Sequence, residues 1–318
     1  MGPGIWVDTP GEASRRIELA CDPEELARLA PGLEVVGWTN RGGFAPNIVP
    51  ESIRILGTKP EPEPRAADPE RFFGGAEDCL RVAVEGIVQG VHDGGDDWRM
   101  VVDDRGRSFG GFVPKRIMPR APEHLVDAQV RMIGVVTTRY NTRGEYRGSR
   151  LLVVRAEDIA VVRPATGGPF EAPEVPLHAI AQYAPEPGGG RRIRTRGIVT
   201  FAEPRRLLYL QQGTMGVRVE SSSAERLAPG DVVEVAGFVN RRSEVAGIVE
   251  AVVRKLATDR SLEPLRITPG EIVTINRKAS YQGTVAAPGD YKGCLVTFAA
   301  RVVDVQPSGR RGAVRHAG

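Results

Sequence analysis

Cysteine is scarce. Cys21, Cys79 and Cys294 lie far apart and are odd in number, which excludes a complete disulfide framework and any C-x-x-C metal knuckle. The histidines His92, His124, His178 and His316 are as dispersed, and none stands three or four residues from another soft ligand, so no zinc site can be written. No apolar run approaches the ~18 residues that a membrane-spanning helix needs; the best, such as Leu151 to Val154, are of strand length. The start, Met1-Gly2-Pro3-Gly4-Ile5, has no charged segment leading into an apolar one, so no export signal is read there. Aromatic residues make up only 6% of the chain, which leaves few large anchors for a core or a stacking surface. Lysine is nearly missing too. Five lysines stand against 38 arginines, a bias that codon usage in a GC-rich genome produces without selection for binding. Net charge is only +3, from 43 basic and 40 acidic residues, so charge alone does not nominate a polyanionic partner.

What is present is turn chemistry and a repeat. Gly (38) and Pro (25) favour many turns and short strands over long helices, and 318 residues suggest two or three domains. Residues 37–57 align without a gap on residues 237–257. Gly37, Asn40, Arg41, Ile48, Val49, Arg54 and Leu56 recur as Gly237, Asn240, Arg241, Ile248, Val249, Arg254 and Leu256. A looser middle copy runs through Val130–Val136 and Leu151–Arg155. First strands repeat as well, with Val84-Glu85-Gly86-Ile87-Val88 against Thr195-Arg196-Gly197-Ile198-Val199, and a further candidate at Thr297-Phe298-Ala299-Ala300-Arg301-Val302-Val303. A period near a hundred residues lets each copy hold its own core, so these read as tandem domains and not as a solenoid.

The third copy defines the module. Arg192–Thr200, Leu207–Gln212, Gly216–Glu220, Val232–Val239 and Gly247–Leu256 read as five strands, with a Ser-capped helical or irregular connection over Ser221–Pro229. A glycine where the first strand must bend, and a connection between strands three and four, match the OB-fold pattern. The expected fold class is therefore all-β: tandem five-stranded OB-like barrels with short helical connections. The expected division is a partial module lacking its first strand (1–57), a Pro-rich linker (58–79), a module (80–163), a linker (164–190), a module (191–257), a linker (258–281), and the start of a further module with a basic tail (282–318). Gly188-Gly189-Gly190 is the one flexible hinge candidate. Exposed strand edges in the two partial modules are expected to pair with another chain or to lack order.

Gly42-Gly43-Phe44-Ala45-Pro46, Ile53-Arg54-Ile55-Leu56-Gly57, Leu210-Gln211-Gln212-Gly213-Thr214-Met215-Gly216-Val217 and Ala228-Pro229-Gly230-Asp231-Val232-Val233-Glu234-Val235-Ala236-Gly237 resemble the tandem OB-like region of bacterial membrane sensor proteins, the sensor histidine kinases and GGDEF-type signalling proteins. That resemblance covers nearly the whole chain. It implies a non-enzymatic ligand-binding, spacer or protein-contact region, periplasmic or extracytoplasmic in an intact sensor. The membrane would enter only through flanking segments that this sequence lacks, and the chain as it stands reads as cytoplasmic. The resemblance carries no ligand residue over.

No catalytic, cofactor or metal motif is read. Asp93-Gly94-Gly95-Asp96-Asp97 superficially matches the cyclase signature but falls between two strands, where Gly and Asp make a turn. The alternative function is single-stranded nucleic-acid binding, since OB barrels combine basic grooves with stacking aromatics. Its candidate surface is Arg192, Arg194, Arg196, Phe201, Arg205, Arg206 and Tyr209. Nucleic acid ranks behind a small molecule, peptide or protein as partner, because the arginine bias is chain-wide and the second module has Glu85 where the third has Arg196.

Overall fold

The computed structural model describes residues 4–7, 15–18, 33–40, 47–56, 63–181 except 142 and 144, 190–240 except 224, 247–258, 262–268, 291, 293–301, 304–306 and 313–315. Residues 42–46, the hinge candidate at 188–189 and Arg310-Arg311 of the basic tail lie outside them. The chain divides into two units, Met1–Thr166 and Gly167–Gly318.

In the first unit, β1 (Gly4–Val7), β2 (Arg15–Glu18), β3 (Leu33–Asn40) and β4 (Asn47–Ile55) form a sheet in the order β1-β2-β4-β3. β2 and β4 run parallel, and the other neighbours are antiparallel.

Next come β5 (Arg65–Ala66), α1 (Pro69–Phe73), β6 (Arg81–Asp93), β7 (Asp97–Asp104), β8 (Arg107–Pro114), β9 (Gln129–Tyr140), β10 (Tyr146–Leu152) and β11 (Ile159–Arg163). β6 pairs with β7 beyond Ile87 and with β9 before it, so the ring β6-β7-β8-β10-β9 closes, with β8 and β10 parallel. This is the OB-fold barrel, the second barrel when the β1–β4 sheet is counted as the first module. Its interior is filled by alternate strand residues, among them Val82, Val84, Met100, Val102, Val113, Met132 and Leu151.

The second unit holds α2 (Leu177–Ala181) and a closed barrel of β12 (Ile193–Glu203), β13 (Leu207–Gln212), β14 (Met215–Glu220), β15 (Asp231–Asn240) and β16 (Gly247–Thr258), in the order β12-β13-β14-β16-β15. β14 and β16 are its parallel pair. β12 switches partner at Ile198, one residue after Gly197. Two small pairs follow: β17 (Leu265–Arg266) with β18 (Val296–Thr297), parallel, and β19 (Asp304–Gln306) with β20 (Ala313–Arg315), antiparallel.

The repeated glycine has a packing reason. A Cβ on Gly237 would lie 2.5 Å from Ile248 Cγ2 and 2.8 Å from Val249 O, and one on Gly37 would lie 2.2 Å from Val49 O. At both places the register with the fifth strand slips by a bulge, and only a residue without a side chain lets that strand approach.

Of the helical or irregular readings of the connection after strand three, the described residues take the irregular one. Ser221–Pro229 contains no helix among the described residues, and Ser221 Oγ donates to Ala251 O at 2.6 Å. A short helix precedes each complete barrel, inside the stretches 58–79 and 164–190, whose composition leaves room for one. α1 is capped by Asp68, whose Oδ1 accepts from Arg71 N, and it buries Phe72 in the second barrel's core. α2 buries Leu177 and Ile180 in the third. Among the described residues no helix is long and apolar enough to cross a membrane.

Candidate functional site

The seven residues picked out in the third module do not form one surface. Arg194 and Arg196 alternate on the outside of β12, and both turn onto Glu234 of β15. Arg194 Nη1 lies 2.8 Å and Arg196 Nε 3.0 Å from Oε1, while Arg254 Nε lies 2.8 Å from Oε2. Glu234 is fully buried under these guanidinium groups. Burial alone would raise its carboxyl, but the hydrogen bonds from Arg196, Arg194 and Arg254 outweigh that and hold it at about 2. Arg194 also reaches Glu174 at 3.0 Å and Ala172 O at 3.0 Å, and Arg254 stacks over Phe170 at 4.3 Å. These arginines are therefore committed to an internal charge cluster.

Arg192 precedes the strand, is buried, and lies over Phe238 at 5.3 Å. Arg205 takes a left-handed turn conformation (φ 59°) at the β12–β13 hairpin, beside Arg206, which pairs with Glu203 at 2.9 Å. Phe201 and Tyr209 do come together, with ring centres 6.2 Å apart. Their side of the barrel is covered by its own chain. Thr200 Oγ1 donates to Gly293 O at 3.0 Å, Leu295 N donates to Gln211 Oε1 at 2.7 Å, and Cys294 Sγ donates to Thr214 O.

The second barrel presents the corresponding face differently. Its outer surface carries two cross-strand rows, the first across strands one, two, three and five and the second across strands two, three, five and four. One row is His92, Arg99, Phe112 and Leu152, and the other is Val101, Gly110, Arg150 and Thr137. The Phe112 ring folds back over Gly110, where a Cβ would lie 3.0 Å from ring atom Cε2. Arg150 pairs with the same glycine across the parallel strands, and its guanidinium carbon lies 5.2 Å from the Phe112 ring centre. Arg150 Nε is buried without a hydrogen-bond partner. Burial, and secondarily the neighbouring charge of Arg139, push its pKa down against the smaller opposing pull of Asp97. Arg99 is exposed beside it.

The hairpin at one end of this face is the Gly-Asp turn. Gly95 has φ 90° and donates its N–H to Asp93 Oδ1 at 2.8 Å. Lys115 pairs with Asp93 at 2.8 Å and stacks on Trp98 at 4.5 Å, and this Lys115 hydrogen bond is the first cause of the lowered Asp93 pKa. Sequence reading missed the face because residues of all five strands contribute to it. The parallel pairing that sets Arg150 beside Gly110 leaves no local pattern; the Gly110-Gly111-Phe112 run is the only linear trace.

Neither a protein-family model nor a curated protein matches this sequence. Among solved structures, an OBody bound to hen egg-white lysozyme is similar at 19% identity and a TM-score of 0.26, over 33% of this chain and 100% of that one. The asparaginyl-tRNA synthetase from Pyrococcus horikoshii is similar at 18% identity and a TM-score of 0.23, over 30% of this chain and 22% of that one. A murine DNA binding protein bound with double-stranded DNA is similar at 8% identity and a TM-score of 0.25, over 56% and 97%. Likenesses this remote carry no argument about what this chain binds.

Proposed function

We propose that this chain is a non-enzymatic, single-stranded nucleic-acid-binding protein built of OB-fold barrels, with its contact surface on the outer face of the second barrel. The observation that carries the reading is Arg150: half-buried, stacked on Phe112 at 5.2 Å, and unpaired at Nε. A structural arginine in such a place ordinarily meets a carboxylate, as Arg194, Arg196 and Arg254 do at Glu234. An aromatic ring beside uncompensated guanidinium groups is instead the pairing that stacks a base and takes its phosphate. The face spans strands two and three, the part of an OB barrel that suits an extended oligonucleotide. A spacer requires no such arrangement.

The test is fluorescence anisotropy of a labelled oligothymidine with the full chain. Affinity should fall as salt rises, and Phe112→Ala should weaken it by about 1–3 kcal/mol, the range for removing one stacking platform. Affinity that is flat in salt, or unchanged in both Phe112→Ala and Arg150→Ala, rejects the reading.

A further inference from the structure

Arg150 Nε and Thr137 Oγ1 are both buried without a hydrogen-bond partner, and the two residues are direct cross-strand partners on β10 and β9. Their neighbours Leu151 and Val136 fill the core of the second barrel, so Arg150 and Thr137 belong to its outer side. A buried donor left unpaired costs stability. Valine has the shape of threonine without the hydroxyl, so packing alone gives no reason for Thr137.

Two residues along β9, on the same side, stands Arg139, exposed and opposite Gly148 of β10. A Cβ on Gly148 would meet nothing within 4 Å, so the space beside Arg139 is open. Arg139 and Arg150 are diagonal neighbours across the two strands, a separation of about 7–8 Å that long side chains bridge. The charge of Arg139 acts on Arg150 more strongly than the opposite charge of Asp97 does. Among the described residues neither arginine forms an ion pair. The three guanidinium groups around Glu234 are held by a shared carboxylate, and here none is supplied.

Two guanidinium groups and a hydroxyl offer several donors to one small space, and an oxyanion with several acceptor oxygens is the group that completes them. The Phe112 ring centre lies 5.2 Å from the Arg150 guanidinium carbon, so a ligand that fills the site and covers the ring carries a flat base close to its anion. We propose that Thr137, Arg139 and Arg150 form a phosphate subsite, and that it takes an internal phosphodiester of the single strand whose neighbouring base stacks on Phe112. The inference rests on the nucleic-acid reading above and extends the contact surface from strands two and three to strands four and five. Arg150 gives its Nε–H and Thr137 its hydroxyl to the phosphate oxygens, and Arg139 adds a second guanidinium from the open side. The terminal phosphate of a free nucleotide presents the same oxygens, so the two sources are separated by experiment.

The full chain is titrated into labelled oligothymidine, and each variant is also melted. Thr137→Val removes a hydroxyl that has no partner, so its melting temperature should hold or rise while affinity falls about tenfold; Thr137→Ser should keep the affinity. Arg150→Lys retains the charge but has no Nε, so it should bind as weakly as Arg150→Ala. Arg139→Ala should lower the slope of log affinity against log salt by about one phosphate's worth. Oligothymidine ending in a hydroxyl should bind as tightly as the same strand with a terminal phosphate, and thymidine monophosphate should compete poorly. Tight binding that needs the terminal phosphate overturns the assignment of an internal phosphodiester. Binding that Phe112→Ala weakens, but that Thr137→Val and Arg150→Lys leave at the parent's strength, overturns the subsite and keeps the nucleic-acid reading. The lack of any salt-dependent binding by the parent overturns both. Should Thr137→Val melt below the parent, Arg150→Lys decides alone.

Discussion

Arg254 and Glu234 face each other across β16 and β15 with Nε 2.8 Å from Oε2, and Arg54 and Glu34 repeat the pair across β4 and β3 at 2.7 Å. The two pairs share a register and differ in burial, because Glu234 is fully buried while the Glu34 side chain keeps 47% of its exposure. Glu234→Gln leaves three guanidinium groups around a neutral amide and should cost about 3–5 kcal/mol, the usual penalty for breaking a buried ion cluster from one side. Glu34→Gln should cost under about 1 kcal/mol, as exposed pairs do. Denaturant melts of the two variants against the parent check the contrast, and equal losses would contradict it.

The same cluster fixes a pH dependence. The Glu234 carboxyl sits at about 2 in the folded chain against an ordinary value of 4.5, because three arginine hydrogen bonds outweigh the effect of burial. A folded value below the unfolded one means that the contribution is complete above 4.5 and is lost as pH falls through about 2. Asp231 adds a loss of the same sign, since the hydrogen bond from Lys255, then that from the Ala228 N–H, lowers its pKa. The third barrel should therefore weaken progressively across that acid window. Glu234→Gln should flatten the pH dependence of its melting temperature there, and an unchanged slope would remove Glu234 as its origin.

Phe72 and Leu177 tie the stretches ahead of the two complete barrels into their cores. Phe72 is 1% exposed and meets Phe109 edge-on with ring centres 5.1 Å apart, and Leu177 is fully buried against the Gly197 bend. Truncating buried side chains of this size leaves a cavity, so Phe72→Ala should cost about 3–5 kcal/mol and Leu177→Ala about 2–5 kcal/mol. If either stretch were only a spacer, thermal melts of its variant would match the parent within error.

Strand content was legible because alternation and turn residues are local. Leu207–Gln212 reads as a strand from its own residues and is one, and the bend at Gly197 follows from a glycine inside an otherwise β-branched run. The connection after strand three reads as helical or irregular because Ser221-Ser222-Ser223 resembles a helix start. The structure satisfies Ser221 with Ala251 O, and the short helices stand in the linker stretches, where composition leaves room for them but does not announce that Phe72 and Leu177 belong to the barrel cores. The ion pairs of the basic surface are illegible for a related reason. Alternation puts Arg194 and Arg196 on one face, but their carboxylate arrives from β15, 38 residues beyond Arg196, and nothing local announces it. The face around Phe112 stayed hidden because its arginines come from β7 and β10.

That contrast between committed and uncommitted arginines makes the nucleic-acid reading testable by position. Arg150→Ala and Arg99→Ala, on the second barrel, should each weaken oligothymidine binding by roughly tenfold and lower the slope of log affinity against log salt by about one phosphate's worth. Arg196→Ala removes a guanidinium bound to buried Glu234, so it should lower the stability of the third barrel and leave affinity and salt slope unchanged. Among the described residues neither Arg99 nor Arg150 forms an ion pair, so the melts of these variants should stay close to the parent. If Arg196→Ala weakens binding while Arg150→Ala and Arg99→Ala do not, the contact surface lies on the third barrel, and the unpaired Nε of Arg150 is a feature of packing alone.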